Sequence, residues 1–166
     1  MNRDDLNFII YYSFILERMN YTLLTRIDKL ITLILIVLGF SVFAPFSNYF
    51  VFGVGVAILS VLQLVYRFGE EAGVSKEQMK QYKKLLVEAP AVTDKVLQDQ
   101  FISIQNSDSN PWRTLEHPAY VVACLYYDLE IEKSMTRLEA ILSWFAGGYP
   151  IERKESKAKD EDEPTD

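Results

Sequence analysis

Apolar and polar positions divide this chain sharply. From Leu30 to Tyr66, 37 residues pass without an Asp, Glu, Lys, Arg or His. Even a buried core helix of a soluble domain normally carries charge on one face. A membrane-crossing helix takes about 20 mainly apolar residues, so this run is too long for one crossing and suits two short ones. Its middle reads Ala44-Pro45-Phe46-Ser47-Asn48-Tyr49. Pro45 lacks the amide hydrogen of a continuous helix, and Ser47 and Asn48 are turn formers. The pattern predicts a helical hairpin: a first span at about 28–43, a turn at 44–49 and a second span at about 50–68.

The flanks have helical periodicity of a different kind. Leu6, Ile9, Ile10, Phe14, Ile15, Met19, Leu23 and Leu24 recur at helical spacing with no Gly or Pro between. They predict an amphipathic helix over 1–27, with Glu17, Arg18 and Asn20 on its polar side. It lies on the membrane surface or packs on later helices, then runs into the first span. After the spans, Met79, Tyr82, Leu85 and Leu86 mark one face of a helix that Pro90 closes. Thr93 is placed to cap the next helix. Asn106-Ser-Asp-Ser-Asn-Pro is a loop, and Pro118 is placed to open a last, long helix to about Phe145. There Val121, Cys124, Ile131, Met135, Leu138, Leu142 and Phe145 step by threes and fours, interrupted at Asp128, as in a coiled-coil seam. Gly147-Gly148 ends it. The expected class is an all-α membrane protein: a leading amphipathic helix, a two-span hairpin, a cytoplasmic helical region over 69–149 and a disordered charged tail over 150–166.

Charge sets the orientation. Arg26, Asp28 and Lys29 lead into the first span; Arg67, Lys76, Lys80, Lys83 and Lys84 come at and after the end of the second; the turn has no charge. The positive-inside rule then puts both termini in the cytoplasm. The first residues lack the positive start of a secretory signal, so the apolar run is expected to stay in the protein. With net charge −6 and no strongly basic segment, a nucleic-acid partner has no electrostatic support. The lipid bilayer is the expected partner.

Small residues in the spans suggest close helix packing. Gly53 and Ala57 stand four apart with Gly55 between them, and Gly39 and Ser41 can face them from the first span. That surface serves either an oligomer interface or pore stripe, or packing between the two spans of one chain. No Asp, Glu, Lys, Arg or His lies between Leu30 and Tyr66, which argues against a pump.

Candidates for chemistry are few. The single His117 sits beside Pro118 at a helix start, as a cap or surface residue. The single Cys124 lies on the apolar seam and is read as a small hydrophobe. One cysteine and one histidine exclude an internal disulfide and a Cys/His zinc site within the chain. Glu70 and Glu71 are adjacent and point apart on a helix. No catalytic constellation, metal site or cofactor site is expected, and the protein is not expected to be an enzyme.

The second span exits through Gln63-Leu64-Val65-Tyr66-Arg67-Phe68-Gly69-Glu70-Glu71-Ala72, and Gln81-Tyr82-Lys83-Lys84-Leu85 follows. With the leading helix and tight hairpin, this resembles the SLATT family of bacterial two-transmembrane effector domains, in which an Ala after the second span and a Tyr-x-x-Leu element recur. Ala72, Tyr82 and Leu85 occupy those positions, and the resemblance spans about residues 8–130. It implies a homo-oligomeric pore-forming or membrane-disrupting effector in the bacterial inner membrane, acting in conflict systems linked to nucleotide signals. It carries over no catalytic residue. The chain shows no sensor module, so the trigger is expected from a separate sensor or signalling protein. The alternative is a membrane-anchored adaptor or exclusion protein whose cytoplasmic helices bind a partner.

Overall fold

The computed structural model describes residues 2–40, 49–106, 109–131 and 135–148. Among them every regular element is helical. Helix α1 (Arg3–Phe40) is 38 residues long, about 57 Å at 1.5 Å per residue. The expected amphipathic helix and the described part of the first span are thus one continuous rod. Ser41, most of the expected turn and the tail beyond Tyr149 lie outside the described residues.

Helices α2 (Tyr49–Tyr66) and α3 (Phe68–Glu88) return antiparallel along α1. A single residue separates them. Arg67 adopts φ 46° and ψ 43°, and its N–H still reaches the Gln63 carbonyl at 3.1 Å. This left-handed residue ends α2, and α3 starts at the next position, so the returning path bends where the apolar run gives way to charge.

The pairing of α1 with α3 forms the spine of the fold. Leu6 and Ile10 share a core with Tyr82, Leu85 and Ala89, while Leu24 and Ile31 share another with Phe68 and Ala72. Along α1, Leu6, Ile10, Ser13, Glu17, Asn20, Leu24, Ile27 and Ile31 alternate steps of four and three, and all are buried or half-buried. That is a coiled-coil seam. Of the two expectations for the leading segment, packing on the later helices is the one the structure has: it pairs with α3 along both cores.

The remaining helices wrap this pair. Helix α4 (Asp94–Gln105) starts after Thr93, as its sequence predicts, and adds Leu97 and Phe101 to the core around Tyr82. Arg3 holds that end together by donating to the Val92 carbonyl at 3.2 Å and pairing with Asp94 at 2.6 Å. Helix α5 (Glu116–Tyr126) lies on another side of α1. Leu115 and Ala119 pack there with Ile15, Leu16, Met19 and Leu23. Pro118 falls in its first turn, where the missing amide hydrogen costs nothing.

The long last helix expected from Pro118 to Phe145 is not formed. Asp128 takes φ 54°, the Leu129 N–H reaches the Cys124 carbonyl at 2.9 Å, and the Asp128 N–H reaches the Leu125 carbonyl. These paired bonds are a Schellman stop. A second helix, α6 (Arg137–Phe145), begins anew with a capping box between Thr136 and Glu139. The spacing misled because Asp128, which interrupts the seam, is the stop itself. Val121 and Cys124 are buried in the bundle, whereas Leu138 is 73% exposed. The coiled-coil seam of this protein lies between α1 and α3.

Gly147 ends α6 at φ 77°, with the Gly148 N–H bonded to the Ser143 carbonyl at 2.7 Å. A Cβ on Gly148 would collide with Ser143, so the glycine pair fits both the turn and the close approach.

Candidate functional site

The surface that most needs a functional explanation is apolar. Leu33, Ile36, Val37 and Phe40 on α1 are exposed, as are Phe50, Val51, Val54, Ile58, Val61, Leu64 and Val65 on α2. One helical run, Phe50–Ala91, contains a stretch long and apolar enough to cross a membrane, and none of that stretch is buried. Exposing this much contiguous apolar surface to water opposes the hydrophobic effect.

The small residues of this surface do not act alike. A Cβ on Gly55 would stand 3.6 Å from Leu38 Cδ1, in ordinary contact with α1. Gly39 and Gly53 have nothing within 4 Å of such an atom, and Ala57 is exposed. Gly55 meets Leu38 rather than Gly39, and among the described residues nothing covers the Gly53–Ala57 pair.

At the base of the apolar segments lies a polar junction. The Gln63 side-chain amide donates to Asp28 Oδ1 and to Thr32 Oγ1, each at 3.4 Å. Thr32 donates to the Asp28 backbone carbonyl at 2.9 Å. A Cβ on Gly69 would lie 3.6 Å from the Asp28 carboxylate. Arg67 pairs with Glu70 at the bend. Gln63, the one side-chain amide of α2, thereby ties α2 to α1 where the charges begin.

Ala72, Tyr82 and Leu85 are 4%, 1% and 3% exposed, all on the α3 face toward α1. Their physical role is in the core: among the described residues Tyr82 is the largest fully buried side chain, and its ring lies 5.9 Å from that of Phe101.

The polar side expected of α1 is corrected in part. Arg18 is exposed, but Glu17 and Asn20 are each 2% exposed. The Asn20 amide donates to Ser75 Oγ at 2.7 Å, its oxygen accepts from the Trp112 backbone at 3.3 Å, and Ser109 Oγ donates to Glu17 at 2.5 Å. Gln78 is buried one turn along α3 from Ser75. Where α1 is covered on two sides, Glu17 and Asn20 sit inside the packing and accept or donate hydrogen bonds there. The signal was available in the alternating four-and-three steps, read through Glu17 and Asn20 rather than stopped by them.

A cluster of rings occupies the far end of the bundle. Tyr11 stacks on Tyr126 at 4.2 Å, and Phe8 meets Tyr120 and Tyr127 edge-on at 5.9 and 5.7 Å. Burial pushes the Tyr127 hydroxyl above its ordinary pKa, with Tyr126, Tyr11 and Asp4 adding to the shift. Tyr126 remains 65% exposed.

Groups with reactive side chains are placed structurally. Cys124 is fully buried, and His117 Nδ1 lies 3.2 Å from Glu139 at the start of α6. Among the described residues, no three His, Cys, Asp or Glu side chains gather as a metal site would require.

No family model matches the chain, and neither a curated protein nor a solved structure matches it.

Proposed function

We propose an integral membrane protein in which the end of α1 and the whole of α2 cross a bacterial inner membrane as a hairpin, with both termini cytoplasmic. Copies then assemble through the hairpin into a pore-forming or membrane-disrupting effector. One observation carries this reading: the apolar surface of the hairpin is uncovered, and the small residues Gly39, Gly53 and Ala57 on it are open to another chain. Lipid covers such a surface at no hydrophobic cost, and small residues let helices approach closely there. The resemblance to the SLATT family supplies the effector role, the conflict setting and a separate signalling partner as trigger.

The test is membrane potential, followed with a voltage-sensitive dye in bacteria making the intact chain. An equally abundant, membrane-inserted Gly53→Leu chain is the comparison. Depolarisation by the intact chain and its loss in the variant are the expected results. Equal depolarisation by both chains rejects the Gly53 interface.

The ring cluster favours a second reading, a membrane-anchored adaptor. Tyr120, Leu125, Tyr126 and Leu129 are exposed at the end of the bundle farthest from the hairpin, and aromatic side chains are enriched in protein interfaces. Because α1 supplies much of the bundle core, the region after the spans is not a sound fragment for capture. The full chain with an unrelated hairpin exchanged for its own is the suitable probe. Retained activity after the exchange favours the adaptor; lost activity favours the hairpin.

A further inference from the structure

Helix α6 leaves three large apolar side chains uncovered. Leu138, Ile141 and Trp144 are 73%, 62% and 65% exposed, and their three-residue spacing puts them on one side of the helix. The other side is anchored: Ser143 is buried, and Ala146 joins the core of Met19 and Leu23. These three residues are therefore held outward by a fixed helix.

The position of that helix identifies what covers them. Arg26 Nη1 donates to the Phe145 carbonyl at 2.5 Å and approaches the Trp144 carbonyl at 3.4 Å, with the guanidinium 5.8 Å from the Phe145 ring. This cation completes the carbonyl end of α6 and offsets its helix dipole. It also pins Trp144 beside α1 at residue 26. The uncharged run begins at Leu30, about 6 Å further along the helix axis. The headgroup layer on each side of a bilayer is of that thickness, about 5–8 Å.

We propose that α6 is an interfacial helix that seats Leu138, Ile141 and Trp144 in the cytoplasmic headgroup layer of the bilayer crossed by the hairpin. The inference rests on the membrane-spanning reading of that hairpin. Tryptophan suits this layer, being apolar in body with one N–H to satisfy. Lys29 on α1 and Arg137 in the first turn of α6 are exposed, and such cations complement anionic lipid phosphates. The cytoplasmic bundle is then held to the membrane at a second place besides the hairpin, which fixes its tilt.

The experiment reads tryptophan emission from the full chain in phosphatidylethanolamine–phosphatidylglycerol vesicles, with and without lipids brominated high on the acyl chain. In a Trp112→Phe background Trp144 is the sole tryptophan, excited selectively over the tyrosines at the red edge of absorption. A parallel chain carries Ile58→Trp with both native tryptophans changed to Phe, and reports the hairpin. If Trp112→Phe does not insert, the difference between wild-type and Trp144→Phe chains gives the same signal. The expected result is blue-shifted Trp144 emission that loses most of its intensity to brominated lipid. Quenching in the Ile58→Trp chain with Trp144 left open to aqueous acrylamide overturns the inference and leaves the hairpin reading intact. Trp144 shielded from both quenchers overturns it in favour of a second copy or another protein on this face. No lipid quenching at either position overturns the hairpin reading and this inference with it.

Discussion

Asn20 and Ser75 meet across the α1–α3 seam, amide to hydroxyl at 2.7 Å, with both side chains buried. Asn20 also accepts from the Trp112 backbone, so one amide joins α1, α3 and the segment leading to α5. An apolar seam tolerates sliding; a polar pair within it does not, because a shifted register leaves both partners desolvated and unpaired. Asn20→Ala is expected to cost roughly 1–3 kcal/mol, the penalty for buried groups left without partners. Ser75→Ala should cost less, and the double variant less than the sum of the two. Chemical unfolding in detergent, followed by circular dichroism, measures all three. Additive losses would show that the pair is not coupled.

Tyr82 fills the space between α1, α3 and α4. Removing a large ring from such a site costs about 3–5 kcal/mol, part transfer and part cavity. Tyr82→Ala is therefore expected to unfold the far end of the bundle, while Tyr82→Phe, which keeps the ring, retains most of the stability. Protease sensitivity of the α4 segment distinguishes local from global loss. A Tyr82→Ala chain as resistant as wild type would remove Tyr82 from the core.

Arg67 holds a left-handed conformation that costs an L-residue roughly 1–2 kcal/mol. Arg67→Gly removes that cost and gives up an exposed pairing with Glu70 worth about 0–1 kcal/mol. It is expected to be neutral or slightly stabilising. Arg67→Val adds a β-branched side chain at the same angles and should destabilise. The two melting temperatures, compared in one detergent, give the sign. A glycine variant melting below the valine variant would contradict the left-handed bend.

Glu139 accepts from the Thr136 backbone and hydroxyl, and Thr136 in turn accepts from the Glu139 N–H. The backbone bond from Thr136, opposed by burial and helped by the Thr136 hydroxyl and His117, holds this carboxyl below its ordinary pKa. A carboxyl lowered on folding contributes stability above its unfolded pKa and loses it as pH falls through the folded value. The start of α6 should therefore fray in acid below the usual carboxylate range. Glu139→Gln should flatten that dependence, and Thr136→Ala should cost about 0.5–2 kcal/mol of helix stability at neutral pH. Amide exchange across Arg137–Phe145 at stepped pH values reads both effects; unchanged exchange in acid would exclude the cap as a stabilising element.

The sequence by itself determined the helical class, the uncharged run, the start of α4 after Thr93 and the glycine stop after α6. Those properties are local: a 37-residue stretch without charge is visible residue by residue, the extended backbone of Thr93 precedes α4, Pro118 falls within the first turn of α5, and Gly147 acts through its own dihedral angle. The tertiary structure alone decided which helices share a seam. Coiled-coil spacing occurs both along α1 and over 121–145, and spacing does not say whether Asp128 continues a helix or stops it. Burial reversed the reading of Glu17 and Asn20, because a polar residue on one helix looks solvated until a second helix and a loop cover it with hydrogen-bonding partners. Likewise, Gly53 and Gly55 are equivalent in the sequence. Only the packing of α2 against Leu38 separates the glycine in contact with α1 from the one that, among the described residues, meets nothing.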